Sequence, residues 1–188
     1  NSPWGYYLLN QWRCALRQPE DHESVEKFTR FDAARYGWMR GAAAHSLLYR
    51  GRFRAAVRQF EIARDFSQPP DWRWQCYIAE ALACQGDLPA AVAAFRRAEK
   101  WAGFERGQAM AWKAAVFLWA GHYRAALRTL NAIPKGYQAP YALCWKGAAL
   151  SQLGSLRRAL GVLNAVVARF PRATTVPAQC PASACAGA

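Results

Sequence analysis

The stretch WQCYIAEALACQGDLPAAVAAFRRAEK, residues 74–100, decides the fold of this chain. Apolar and small residues recur at spacings of three and four on both sides of Gly86, which predicts two amphipathic helices. Gly86 and Asp87 form a turn signal, because glycine takes a positive φ angle without a Cβ clash. The outer apolar face of such a hairpin is uncovered, so the sequence predicts neighbouring hairpins of the same kind.

Four glycines mark the same turn at nearly constant intervals. Gly51, Gly86, Gly121 and Gly154 are separated by 35, 35 and 33 residues. Five positions after each glycine stands an alanine, and nine positions after it stands a large apolar residue. The alanines are Ala56, Ala91, Ala126 and Ala159, and the large residues are Phe60, Phe95, Leu130 and Leu163. Small residues let two helices approach closely and large ones fill the space between repeats, so the pattern predicts four stacked helix pairs.

This period and pattern resemble the tetratricopeptide repeat, a helix–turn–helix unit of 34 residues. The resemblance covers residues 38–171 and implies an all-α fold, a right-handed superhelix of antiparallel helix pairs. The implied repeats are 38–71, 72–106, 107–140 and 141–171. The proline that closes each repeat in the family departs from the pattern twice. It is displaced to Pro140 in the third repeat, and Gly103 stands in its place after the second.

The repeats are flanked by two segments that fit the pattern poorly or not at all. Residues 1–37 predict a degenerate N-terminal helix pair that caps the repeats, with Leu9, Trp12, Val25 and Phe28 in phase but Asp21 at the small position. Residues 172–188 are rich in Pro and Ala and predict an irregular tail. Whether this tail stays mobile or folds onto the repeats is left open by its composition.

Charge is distributed unevenly along the 188 residues, which carry a formal net charge of +13. All twelve carboxylates lie at or before Glu105, and ten Lys or Arg residues follow it. The outer helices of the last two repeats would present a basic surface formed by Arg124, Arg128, Arg157 and Arg158. Two interpretations remain: this surface attracts an anionic partner, or it reflects an Arg-rich composition with no binding role.

Composition and motifs indicate which classes of function are unexpected. A hydrophobic content of 53% excludes a disordered chain, and no apolar run approaches the ~18 residues of a membrane span. No CxxC, HExxH, nucleophile elbow or phosphate-binding loop is present, and His22, His45 and His122 stand alone. We therefore expect a non-enzyme with no catalytic residues, no cofactor and no metal site.

The six cysteines favour a reduced environment. Four lie in predicted helices, where cysteine usually acts as a small apolar residue, so a disulfide scaffold is not expected. This favours a cytoplasmic location. Export stays an alternative because the chain begins at Asn1 rather than at an initiator Met.

An aromatic stripe is the candidate binding site. The resemblance implies that the first helix of each repeat lines a concave groove. The aromatic residues at those positions are Trp38, Tyr49, Tyr77, Trp112, Trp119, Tyr141 and Trp145. Aromatic rings on a partly wet surface are typical anchors for a bound peptide. The alternative is that the rings pack between neighbouring helices or under the tail. The Lys, Asn and Arg set with which some family members hold a terminal carboxylate is absent.

The sequence thus predicts a protein-interaction scaffold or adaptor whose groove takes a partner peptide or helix, with a partner of acidic character. A secretion chaperone or an assembly factor would be one version of it. The alternative function is binding of nucleic acid or an anionic membrane through the basic second half. The oligomeric state does not follow from the sequence.

Overall fold

The computed structural model describes residues 37–67, 71–137 and 139–170. The predicted N-terminal pair up to residue 36 and the predicted tail from residue 172 lie outside the described residues, as does the side chain of Trp38. Eight α-helices and no strand occur in the described ranges. They are α1 (Gly37–Tyr49), α2 (Phe53–Asp65), α3 (Trp72–Cys84), α4 (Leu88–Trp101), α5 (Arg106–Trp119), α6 (Tyr123–Asn131), α7 (Pro140–Gln152) and α8 (Leu156–Arg169). A short 3-10 turn, Gly103–Glu105, precedes α5.

The described residues divide into two units between Trp101 and Ala102. In the N-terminal unit α1 packs on α2, α2 on α3, and α3 on α4. The C-terminal unit repeats this order, with α5 on α6, α6 on α7, and α7 on α8. The predicted all-α fold of stacked helix pairs is confirmed. The hand of the superhelix and the exact repeat bounds stay predictions.

The turn within each pair has the same hydrogen-bonded form four times. Gly51, Gly86, Gly121 and Gly154 have φ angles of 73°, 91°, 77° and 75°. At the second turn, the Gly86 N–H donates to the carbonyl of Ala83, and the Asp87 N–H donates to the carbonyl of Leu82 at 2.9 Å. These bonds satisfy carbonyls that the end of α3 leaves without a helical donor, as in a Schellman motif. Glycine is favoured there because a side chain at positive φ would be strained.

The small and large repeat positions form the core. The four alanines five positions after the turn glycines are all buried: Ala56, Ala91, Ala126 and Ala159. Phe60, Phe95 and Leu130, nine positions after the glycines, are buried as well. The fourth residue of that series, Leu163, differs because it is 36% exposed. One apolar face of α8 therefore lacks the cover that its counterparts have.

Candidate functional site

In the N-terminal unit, the predicted groove residue Tyr77 is packed into an aromatic cluster. Its ring stacks on Phe60 at 5.3 Å between centroids and meets the edge of His45 at 4.2 Å. Trp74 completes the cluster, with its ring 5.8 Å from Tyr77 and 6.3 Å from Phe60. Three helices contribute these four rings, α1, α2 and α3, so the cluster joins the first repeat to the second. Tyr77 therefore packs between the first two repeats, in addition to any contact that it makes in the predicted groove.

Trp74 covers part of the surface that the resemblance assigns to the groove. Its indole lies so close to Gly41 that a Cβ at Gly41 would be 2.2 Å from the ring. Its Nε1–H donates a hydrogen bond of 2.6 Å to Ser67 Oγ, which fixes the ring in place. The repeat pattern does not predict this contact. The signal for it in the sequence is the absence of a side chain at Gly41 within α1.

Burial shifts the pKa values of two side chains in this cluster, His45 and Tyr77. Loss of solvent around the imidazole lowers the pKa of His45 to about 4, because the charged form would be poorly hydrated. The same effect, reinforced by the negative charge of Glu80, raises the pKa of Tyr77 to about 12. Both rings are therefore neutral near pH 7. This arrangement favours packing over proton transfer.

Tyr49 is the exposed member of the predicted stripe in this unit. It is the last residue of α1, and 49% of its surface is open to solvent. A phenol at a helix end can combine apolar contact with a hydrogen bond to a bound chain. Tyr49 is thus partly open to solvent, whereas Tyr77 is largely enclosed.

In the C-terminal unit, the predicted groove residues form a row of half-buried rings. Trp119 of α5 meets Trp145 of α7 edge to face at 6.4 Å. Trp145 meets Tyr141 at 5.0 Å, and Tyr141 meets Tyr137 at 6.4 Å. The hydroxyls of Tyr137 and Tyr141 are in hydrogen-bonding contact. We call these four residues the aromatic row. The structure brings together three of the predicted side chains, and the fourth predicted residue of this unit, Trp112, lies half-buried on α5.

Tyr137 is the member of the aromatic row that sequence reasoning missed. It lies in the loop between α6 and α7, outside the helical positions that define the predicted aromatic stripe. A Cβ at Gly107 would lie 2.5 Å from the Tyr137 ring, so glycine at that point of α5 lets the ring approach. Burial raises the pKa of the neighbouring Tyr141 phenol. The Tyr141 phenol is therefore neutral near pH 7.

The predicted basic residues are exposed on the second helices of the C-terminal unit. Arg124 and Arg128 line a shallow depression of about 390 Å³ together with His122 and Leu153. Arg157 and Arg158 are exposed at the start of α8. Glu105 is the only carboxylate among the residues from Ala102 onward. A surface of this kind attracts anionic groups, and salt screens the attraction.

Cysteines and acidic residues form no metal-binding cluster in the described residues. Nowhere in the ranges 37–67, 71–137 and 139–170 do three His, Cys, Asp or Glu side chains cluster closely enough to hold a metal ion. Cys76 and Cys144 are free thiols, and burial is the main cause of the raised pKa of each. Cys84, by contrast, is disulfide-bonded, which differs from the expectation that the helical cysteines stay reduced.

None of the helices in the described part of the chain has the length and apolar character needed to cross a membrane.

A comparison with known protein families agrees with the turn geometry, the buried alanines and the stacking order. Residues 41–104 match the family model of the tetratricopeptide repeat. Within residues 41–104 the chain contains tetratricopeptide repeats. The match runs from α1 to the 3-10 turn, and the helix pairs α5–α6 and α7–α8 reproduce the same turn glycines and buried alanines. No curated protein and no solved structure matches the chain. Tetratricopeptide repeats are in general scaffolds for protein–protein interaction without catalytic activity.

Proposed function

We propose that this tetratricopeptide repeat protein is a non-catalytic adaptor that holds a peptide or helix of a partner protein against the aromatic side chains of its first helices. The observation that carries the proposal is the aromatic row on α5 and α7. The partner of this groove would be acidic, and a secretion chaperone or an assembly factor working in the cytoplasm would fit this activity.

The aromatic row has the properties of a preformed binding surface. Each ring is held edge to face by the next, from Trp119 through Trp145 to Tyr141, so little side-chain freedom would be lost on binding. All three rings are half-buried, which leaves part of each ring accessible. Indole N–H and phenol O–H groups add hydrogen bonds to apolar contact, a combination that is common at interaction hot spots.

The preference for an acidic partner rests on charge. The residues from Ala102 onward include ten Lys or Arg and one carboxylate, a net charge of +9. A positive field of this size speeds the approach of a negatively charged partner, and its effect falls as ionic strength rises. The aromatic row would then supply contact after the encounter.

The proposal is tested by capture with the full chain as bait and mass spectrometry of the bound proteins. Replacing Trp145 by Ala removes the ring that contacts both Trp119 and Tyr141, and it should reduce capture of specific partners at least tenfold. The matched control is Trp101→Ala, which removes an indole that is 42% exposed on the second helix α4. Helix content measured by circular dichroism should be unchanged in both variants. Equal capture by the wild type and Trp145→Ala would overturn the groove proposal.

A second candidate function, binding of a nucleic acid or an anionic membrane, is favoured by one observation, the depression lined by Arg124 and Arg128. Phosphate contacts would make such binding weaken steeply with salt. Gel shifts and vesicle sedimentation at low and moderate salt test it. Binding lost on Arg128→Glu but kept in Trp145→Ala would support this function. No binding at low salt would exclude it.

A further inference from the structure

One face of α8 exposes a continuous apolar stripe. Leu156, Leu160, Leu163 and Val167 follow one another at spacings of four, three and four, so they lie on one side of the helix. They are 61%, 61%, 36% and 70% exposed. Half of the eight large apolar side chains that are exposed in the described residues belong to this stripe, which marks it as an interaction site rather than scattered surface. We call these four residues the α8 stripe.

The repeat pattern shows what kind of element fits the α8 stripe. Leu130 of α6 occupies the same repeat position as Leu163 and is 7% exposed. Second helices elsewhere pack against the first helix of the following pair, α2 on α3 and α6 on α7. The stripe is therefore the stacking face of a second helix, and the element that fits such a face is another helix.

Charge selects the chemistry of that helix. Arg157 is exposed in the first turn of α8 and lies about 100° around the helix from Leu156, so it flanks the α8 stripe, whereas the exposed Arg158 lies on the opposite side of the helix. No carboxylate follows Glu105 in the given sequence, so the residues of the last two helix pairs add no acid beside Arg157. Carboxylates flanking the apolar side of an incoming helix would pair with Arg157, whereas lysines would be repelled.

A second copy of the chain is the less favourable occupant. Symmetric contact through α8 would place the two C-terminal units, each with a net charge of +9, against each other. Four side chains on one helix also provide much less than the ~800 Å² per partner of a typical stable interface. A dimer would therefore bury too little apolar surface to offset the repulsion.

We propose that the α8 stripe docks an amphipathic helix of a partner protein whose apolar side is flanked by Asp or Glu. This surface is separate from the aromatic row, and the proposal stands whether or not the row binds a peptide. The incoming helix would lay its apolar side chains over Leu160 and Leu163, and a carboxylate at its edge would meet Arg157.

The test uses two fluorescein-labelled helical peptides of 20 residues. They share one Leu stripe and differ only in the flanking positions, which are Glu in one and Lys in the other. Fluorescence anisotropy with the full chain should show the Glu peptide binding at least tenfold more tightly than the Lys peptide. Leu160→Ser should weaken the Glu peptide at least tenfold. Arg157→Glu should remove or reverse the preference, whereas the matched control Arg158→Glu, on the opposite side of α8, should change it less.

Matched controls separate docking from non-specific adsorption. Phe104→Ser removes a large apolar side chain that is 99% exposed elsewhere, and it should leave binding unchanged. Because Leu160 and Phe104 are both exposed, circular dichroism should show both variants folded. A Glu peptide with a dissociation constant above about 1 mM, equal binding of the two peptides, or equal loss in Phe104→Ser would overturn the proposal. Sedimentation showing a dimer that Leu160→Ser dissociates would overturn it in favour of a second copy.

Discussion

At the scale of single residues, the burial of His45 makes the stability of the folded protein depend on pH. Its imidazole is enclosed by the rings of Phe60 and Tyr77, at centroid distances of 5.0 and 4.2 Å. Burial is the cause of its lowered pKa, and the ring is neutral in the folded protein down to about pH 4. In the unfolded chain the same imidazole takes up a proton near its ordinary value of about 6.5. The unfolded state therefore binds more protons between these two pH values.

This difference predicts that stability falls as the pH is lowered from 6.5 to about 4 and is unaffected by His45 above 6.5. At about 1.4 kcal/mol for each pH unit, the loss is at most roughly 3 kcal/mol at the acid end. His45→Phe keeps an aromatic ring without a titrating group, so its stability should change less with pH in this window. Urea unfolding at several pH values measures both proteins. Identical pH profiles of the wild type and the variant would contradict the prediction.

At the scale of elements, the turn glycines connect each helix pair. Gly86 has a φ angle of 91°, and its N–H and that of Asp87 close the end of α3 onto the carbonyls of Ala83 and Leu82. An L-residue in this region is strained by contact between its Cβ and the backbone. Gly161, within α8, is exposed, and a Cβ there would meet nothing within 4 Å.

The two glycines therefore predict opposite responses to the same substitution. Gly86→Ala should lower the free energy of unfolding by about 1–2 kcal/mol, because alanine at positive φ is strained. Gly161→Ala should raise it by about 0.5–1 kcal/mol, because alanine favours the helix and has room. Denaturant titration of both variants provides the measurement. No loss of stability in Gly86→Ala would show that this turn does not impose the expected strain on alanine, and a loss in Gly161→Ala would show that α8 does not accommodate the added methyl group.

At the scale of the whole molecule, charge is divided unequally between the two units. The residues up to Trp101 include fifteen basic and eleven acidic side chains, whereas those from Ala102 onward include ten and one. Arg124 and Arg128 of α6 stand at the same repeat positions as Arg54 and Arg58 of α2. All four are exposed. The two helices therefore carry the same i,i+4 arginine pair, one in the less basic unit and the other in the more basic unit.

Arg124→Glu should stabilise the protein by about 0.5 kcal/mol at low salt, because it replaces an i,i+4 repulsion with an attraction in the first turn of α6. Arg54→Glu makes the same local change in the less basic unit, so its gain should be smaller. The difference should shrink between about 10 and 150 mM NaCl, as the screening length falls from about 30 to 8 Å. Thermal melts at the two salt concentrations measure it. Equal gains would indicate that the field of the C-terminal unit does not affect its stability.

Signals in the amino-acid sequence are sufficient to predict the helix pairs and their order. The reason is that the signals are local: a glycine at Gly86 or Gly121 ends one helix, and Ala91 or Ala126 sets the close contact five residues later. These features depend on backbone sterics and side-chain size, which a single repeat contains. The repeat bounds, the superhelical hand and the binding role of the aromatic side chains remain predictions on that basis.

Which side chains are enclosed and which are open depends on tertiary packing. The repeat pattern predicts that both Tyr49 and Tyr77 line the groove, yet Tyr49 is 49% exposed and Tyr77 is stacked on Phe60. Leu130 and Leu163 are the same residue at the same repeat position, yet one is 7% and the other 36% exposed. The burial of a side chain depends on which neighbouring element packs against its repeat. The residue spacing within a repeat contains no information about that neighbour.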